Sequence, residues 1–127
     1  MADYVNTAAE QLVVEVQVRD MARAKAFYQA IGFALISDGS DFVALSWEGS
    51  HLFLDLRADM DAPPAVPQAN IRIMVPDVDT RWALVNEIGA PILDPIGDRD
   101  YGLRDFTFTD PDGFGLRFAS LLDDAGA

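Results

Sequence analysis

The side chains that could do chemistry in this sequence are carboxylates, arginines and aromatic rings. The 127 residues include no cysteine and one histidine, His51. Disulfides, thiolate metal sites and cysteine nucleophiles are therefore excluded. His51 is predicted to begin a strand next to a turn, and a lone histidine at an exposed strand end is more often not a ligand than a metal ligand. No glycine-rich phosphate loop or catalytic-triad pattern appears. The chemistry left open is binding by charge and stacking, metal binding by carboxylates alone, or acid–base chemistry at a carboxylate, for which Glu15 is the weak candidate.

The formal net charge of −12 limits the partners of the protein. Acidity of this size attracts cations and repels nucleic acid and anionic membranes. We therefore expect neither nucleic acid nor a membrane as a partner. Many of the acids stand at helix starts and turns, and solubility explains most of the charge. The N-terminus lacks a basic start followed by an apolar run, so it predicts no signal peptide or anchor. Together with the absence of cysteine, this favours a cytoplasmic protein.

The elements that must position these side chains occur twice. Val18, Asp20 and Gly32 recur 57 positions later as Val75, Asp77 and Gly89. Phe42, Gly49 and Leu52 recur 64 positions later, as Phe106, Gly113 and Leu116. Such self-similarity indicates a repeated structural unit. We predict a single domain, residues 1–127, with module one at 12–57, a linker at 58–68 and module two at 69–121. Because the offset grows from 57 to 64 positions, module two has extra residues, and we predict that they form a longer loop over 91–104.

Each copy predicts a strand, a helix and three further strands. Valines dominate the first strand, Leu12–Val18, and Asp20 and Gly32 can begin and end the helix that follows. The three later strands of module one are predicted at 33–36, 41–47 and 51–56. The fold class is α+β, with two βαβββ modules whose cupped mixed sheets surround a shared cavity. Each helix covers one face of its sheet, and the other face lines the cavity.

The order of local motifs resembles a known family. The segment 16–20 leads into Ala26-Phe27-Tyr28 and Ile31-Gly32-Phe33, and the segment 102–106 leads into Asp110-Pro111-Asp112-Gly113. This arrangement, over residues 12–121, resembles the vicinal oxygen chelate superfamily. That superfamily includes glyoxalase I, extradiol dioxygenases, fosfomycin-resistance proteins and bleomycin-resistance proteins.

The resemblance implies where a metal ion would bind, and the residues there are unsuitable. Enzymes of this group take ligands from the first and last strands of each module, which here correspond to Val13, Phe53, Asn70 and Arg117. Valine and phenylalanine cannot coordinate a cation, and arginine repels one. We therefore predict no metal and no other cofactor, and the sequence leans against an enzyme. The alternative is a lyase, isomerase or dioxygenase with one divalent metal ion on atypical carboxylates, drawn from Glu15, Asp55 and Asp105.

Without those ligands, the sequence resembles the bleomycin-resistance branch, which binds and sequesters a drug. In that branch an aromatic residue before the third strand of module two borders the pocket, and Tyr101 corresponds to it. Aromatic rings beside carboxylates favour a flat, cationic ligand. The predicted ligand-binding residues are Glu15, Gln17, Trp47, Phe53, Asp55, Asn70, Arg72, Tyr101 and Arg117. The rings could instead fill the core and the charges could pair with one another.

The position of Trp82 in the repeat bears on how the protein assembles. By the repeat, Trp82 corresponds to Lys25, which predicts an outward position, under the N-terminal arm or in a subunit interface. The resemblance implies a homodimer, and antibiotic resistance as one role. The hypotheses are a binding protein for a small molecule, a metal-dependent enzyme, and an interaction scaffold with a filled cavity.

Overall fold

The computed structural model describes residues 11–122, which form two helices and eight strands. The described chain divides into two compact units, with the boundary between Asp61 and Ala62. In chain order, the elements of the first unit are β1 (Val14–Val18), α1 (Met21–Ile31), β2 (Ala34–Asp38), β3 (Phe42–Trp47) and β4 (Ser50–Leu56). Those of the second are β5 (Asn70–Met74), α2 (Val78–Ile88), β6 (Ile92–Asp98), β7 (Leu103–Thr109) and β8 (Gly115–Leu121). Among the described residues no helix is long and apolar enough to cross a membrane.

Each unit contains one mixed sheet with the same topology. The strand orders are β1-β4-β3-β2 and β5-β8-β7-β6. The first strand of each unit pairs in parallel with the last, and the remaining neighbours are antiparallel. A parallel pair needs a crossover connection, which the helix supplies. The α+β class and the two βαβββ modules are therefore confirmed.

Local signals define both helices as the sequence predicted. The Asp20 carboxylate accepts a hydrogen bond from the Arg23 amide at 3.1 Å, and Asp77 accepts from the amides of Asp79 and Thr80. An aspartate in this position satisfies amides that have no partner within the helix. Gly32 and Gly89 end the helices at φ values of 122° and 86°, a backbone region that favours glycine.

The core of the second unit is a cluster of aromatic rings on the helix side of its sheet. Phe106, Phe108 and Phe118 are fully buried, with ring centroids 5.5–6.0 Å apart. Trp82 of α2 packs edge-on against Phe106 at 5.0 Å. The prediction that Trp82 is an outward residue is therefore wrong. Its counterpart Lys25 is half-buried too, so the repeat position faces partly inward and the large ring extends onto the sheet.

The predicted loop over 91–104 is also wrong, because β6 occupies Ile92–Asp98. Pro95 and Gly97 suggested a loop, but β6 is the edge strand of its sheet, where a proline removes no interior hydrogen bond. The pairing of β6 with β7 shifts register on both sides of Asp94, and the second shift spans Pro95. Irregular pairing of this kind hides a strand from a pattern that assumes strict alternation.

Candidate functional site

The face of the first sheet that lies opposite α1 carries aromatic rings and carboxylates. Val16 and Val18 of β1 are buried, so Glu15 and Gln17 point to the other side, where both are exposed. Glu15 lies beside Phe53 in the register of β1 and β4. Phe53 is 8% exposed, and its ring packs edge-on against that of Phe42 at 5.1 Å.

Asp55 places a second carboxylate on the same face. It pairs in register with Gln17 on one side and with Phe42 on the other. Its Oδ2 lies 3.5 Å from Arg57 Nε, and both side chains are more than a third exposed. An ion pair this exposed is weak, so Asp55 keeps most of its capacity to attract a cation. The structure thus brings Glu15, Gln17, Phe53 and Asp55 together on one surface.

Trp47 does not share that surface, which corrects the sequence prediction. It follows Val43 and Leu45 at intervals of two along β3, and these two residues are fully buried on the helix side. The Trp47 ring packs against Phe33 at 5.1 Å. Phe53 pairs with Ala44 and so belongs to the opposite face. Both rings were predicted to lie in one cavity, although the turn at residues 48–49 fixes a register that puts them on opposite faces.

In the second sheet, the face opposite α2 carries a row of polar side chains. Four residues on adjacent strands lie side by side in register across this face: Arg72, Arg117, Thr107 and Asp94. Arg117 Nε donates to Thr107 Oγ1 at 2.9 Å. Asn70 precedes Arg72 by two residues, is exposed, and lies opposite Gly115 on the same face. The structure therefore brings Asn70, Arg72 and Arg117 together.

A buried carboxylate, Asp105, organises the charges on this face. It is fully buried, and its Oδ1 accepts from Arg99 Nε at 2.7 Å. Its Oδ2 accepts from the Tyr101 hydroxyl at 2.6 Å and lies 3.7 Å from Arg117 Nη1. Arg99 also lies 3.4 Å from Asp94. Tyr101, placed here by resemblance to the bleomycin-resistance branch, thus lies beside Arg117, with Oη 3.5 Å from Nη1.

The surroundings shift the pKa values of this cluster. Burial alone would raise the pKa of Asp105, but hydrogen bonds from Tyr101 and Arg99 and the nearby charge of Arg117 outweigh it and lower the pKa below its ordinary 3.8. The bond to Asp105 raises the pKa of Tyr101 above 10.0, because the phenol is needed as a donor. At neutral pH the cluster therefore contains an ionised carboxylate, a neutral phenol and two guanidinium groups.

Arg99 and Thr107 belong to this cluster but were not among the residues predicted from the sequence. The segment from Arg99 to Leu103 is a tight hairpin connection, in which the Arg99 amide donates to the Leu103 carbonyl at 2.7 Å. Recognition of this hairpin would have placed Arg99 next to Asp105, since residues on either side of a tight turn face each other. Thr107 could have been found from the period of two along β7, which puts it on the same face as Asp105.

The residues at the expected metal positions do not fit a divalent cation. Val13 and Phe53 have no donor atom, and Arg117 is itself a cation held in place by Thr107. Among residues 11–122 no group of three or more histidine, cysteine, aspartate or glutamate side chains is placed to hold a metal ion. Asp105, one of the alternative carboxylate ligands, uses both oxygens as acceptors. The donor set therefore gives a metal ion no favourable site at these positions.

Comparison with known proteins gives a consistent family match. The sequence model of the glyoxalase/bleomycin resistance protein/dioxygenase superfamily matches residues 10–118. A glyoxalase/bleomycin resistance protein/dioxygenase from Alicyclobacillus acidocaldarius is 23% identical, with a TM-score of 0.73 over 91% of this chain and 93% of that one. TioX from Micromonospora sp. ML1 is 24% identical, with a TM-score of 0.71 over 90% and 100%. The bleomycin resistance determinant encoded on transposon Tn5 is 18% identical, with a TM-score of 0.68 over 89% and 98%. Comparison with curated proteins gives no match.

Proposed function

Since the chain belongs to the glyoxalase/bleomycin resistance protein/dioxygenase superfamily, we propose that it binds a small organic molecule and holds it without a metal ion. The observation that carries the proposal is Arg117. This residue stands where the resemblance to metal-dependent members implies a metal ligand, and Thr107 and Asp105 hold its guanidinium there. A fixed cation disfavours a metal ion nearby, but it suits recognition of a polar ligand.

The first sheet supports an aromatic, cationic ligand. The half-exposed ring of Phe42, which packs against the nearly buried Phe53, offers a stacking surface, and the carboxylates of Glu15 and Asp55 lie on the same face. Aromatic faces attract cations through their quadrupole, and an adjacent carboxylate adds a direct charge interaction. A flat ring that carries an amidinium or ammonium group satisfies both features.

The proposed role is sequestration and not chemical conversion. One similar structure is a bleomycin resistance determinant, and the inference that this chain also protects against a toxic compound rests on that likeness. We further propose that it acts in the cytoplasm as a homodimer, in keeping with the resemblance and with the preference of soluble proteins for two-fold assemblies. Glu15 is then assigned as a binding residue, because its exposed carboxylate lies beside Phe53 on the face that would hold the ligand.

Benzamidine, a flat aromatic cation, tests the proposed function directly. In the presence of EDTA, we expect benzamidine to shift the amide resonances of β1 and β4 in a saturable way, and benzyl alcohol to bind more weakly. Glu15→Gln removes one charge at constant size and should weaken benzamidine binding by about fivefold, with little effect on benzyl alcohol. Phe53→Leu, which keeps the side chain apolar, should weaken the binding of both probes because the Phe42 ring loses the aromatic contact that supports it. The measurement is an NMR titration of each variant.

Glu87→Gln provides the matched control for charge. Glu87 is exposed on α2, so this change alters the net charge equally but leaves the first sheet untouched. Benzamidine affinity should be unchanged in this variant. If wild-type protein shows no saturable response to benzamidine, or if Glu15→Gln and Phe53→Leu bind it as tightly as wild type, the proposed ligand class is wrong.

A further inference from the structure

Two arginines stand side by side on the second sheet. Arg72 of β5 and Arg117 of β8 are register partners in a parallel strand pair, and both side chains lie on the face opposite α2. Arg72 is exposed, and its guanidinium forms no hydrogen bond or ion pair with any residue between 11 and 122. Like charges in directly opposed positions destabilise a sheet. The pair therefore needs an explanation beyond the fold.

The acidic composition of the chain makes it unusual that the side-by-side arginines Arg72 and Arg117 have so few acidic partners. Aspartate and glutamate number 21 against 9 lysines and arginines, so acidic partners are abundant. Nevertheless, Asp94 and Asp105, the aspartates that the strand register places on this face, are already engaged by Arg99, at 3.4 Å and 2.7 Å. Three guanidinium groups thus face two carboxylates. In a strongly acidic protein, this face keeps a local excess of positive charge.

Arg117 is also pre-oriented in a way that leaves donors available. Its Nε is bound to Thr107, and its Nη1 lies near Tyr101 and Asp105. Its Nη2 donates to none of the described residues, and its side chain is 27% exposed. A guanidinium fixed by its neighbours loses less conformational entropy when it binds a ligand. The ring of Tyr101, in a residue that is 56% exposed, adds an apolar surface next to Arg117.

We propose that Arg72 and Arg117 form a binding site for the oxyanion of a small organic ligand, a carboxylate or a phosphate. Guanidinium groups recognise both through paired N–H···O bonds, and one bound oxyanion would neutralise the repulsion between the two arginines. Tyr101 would contact the organic part of the ligand. The inference rests on the proposed small-molecule function and adds to it a second, anionic recognition element on the second sheet.

Benzoate and phenyl phosphate are the probes that test the site, and they distinguish the two oxyanion classes. We expect at least one of them to shift the amide resonances of β5 and β8 saturably. Arg72→Gln should weaken the binding of that probe by about tenfold, which is the effect of losing one charge-assisted contact. Arg117→Lys keeps the charge but loses the planar guanidinium with its paired donors. It should weaken the binding of the probe by a similar factor. Arg72→Gln should leave the thermal stability of the ligand-free protein unchanged or higher, since it relieves like-charge repulsion.

Arg104→Gln is the matched control. Arg104 lies on β7 but points to the helix side, where it pairs with Asp79 and Asp98, so its loss changes the net charge without touching the proposed site. If Arg104→Gln weakens the binding of the anions as much as Arg72→Gln does, the attraction is non-specific and the inference is overturned. If benzamidine binds but neither anion does, the inference is overturned while the proposed function stands. If no probe binds, both fail.

Discussion

Replacing Asp105 by asparagine is expected to lower the free energy of unfolding by about 3 kcal/mol. The carboxylate is fully buried and accepts hydrogen bonds from Arg99 and Tyr101, with Arg117 close by. An asparagine of the same size would leave the Arg99 guanidinium with the half-exposed Asp94 as its remaining charge partner among the described residues, and it would turn one acceptor into a donor. Because Arg99 is 23% exposed, the expected loss lies at the lower end of what breaking a buried ion pair costs. Urea unfolding of both proteins measures it.

Asp98→Asn is the control for this prediction. Asp98 also pairs with an arginine, Arg104 at 3.0 Å, but its side chain is 62% exposed. Exposed pairs contribute little, so this change should cost about 0.5 kcal/mol or less. Equal losses in the two variants would contradict the assignment of Asp105 as the organising charge of the second sheet.

The pH dependence of stability gives an independent test of Asp105. Its pKa in the folded protein is below the ordinary 3.8, so the unfolded chain binds its proton more readily than the folded chain. The carboxylate therefore stabilises the fold at pH values above 3.8, and this contribution is lost as pH falls through the folded-state pKa. The stability difference between wild type and Asp105→Asn should be constant at neutral pH and shrink in acid. A difference that does not change with pH would contradict an ionised, hydrogen-bonded Asp105.

Phe106→Ala is expected to have the largest effect of the substitutions considered, lowering the free energy of unfolding by about 4 kcal/mol. The ring is fully buried and contacts the rings of Trp82, Phe108 and Phe118. Truncation leaves a cavity at the centre of these contacts, which neighbouring strands of one sheet cannot close. Thermal or denaturant unfolding measures the loss.

Trp82→Ala complements this prediction. The half-buried tryptophan packs on Phe106 from α2, so its removal should cost about 2 kcal/mol. A surface residue outside the core would cost about 0.5 kcal/mol or less. A loss that small, together with a small loss in Phe106→Ala, would contradict the aromatic core described for the second unit.

Features set by local rules could be predicted from the sequence. Asp20 and Asp77 satisfy helix amides within three residues, and Gly32 and Gly89 end the helices because their backbone angles favour glycine. These interactions are short-range, and the same signals occur in both modules of the internal repeat. The repeat also indicated the βαβββ order of elements in each module. The family resemblance, which covers residues 12–121, supported the same order.

Features that depend on pairing between strands could not be read as reliably. The strand β6 was hidden because Pro95 and Gly97 are tolerated at an irregular sheet edge. Trp47 was assigned to the wrong face, since its orientation depends on the register of β3 with β4 and not on its own type. In the site, Arg72, Arg117 and Tyr101 were identified, but the link through Asp105 to Arg99 needs the hairpin between β6 and β7.

The most direct test of the central claim, binding of a small molecule without a metal ion, is elemental analysis. The purified protein is incubated with manganese, iron, cobalt, nickel and zinc salts in turn, desalted, and analysed alongside a known metalloprotein treated in the same way. We expect metal far below one equivalent per chain, because Val13, Phe53, Asn70 and Arg117 offer no suitable set of ligands. Retention of one equivalent of a single metal per chain would contradict the claim and make Glu15, Asp55 and Asp105 the first residues to replace.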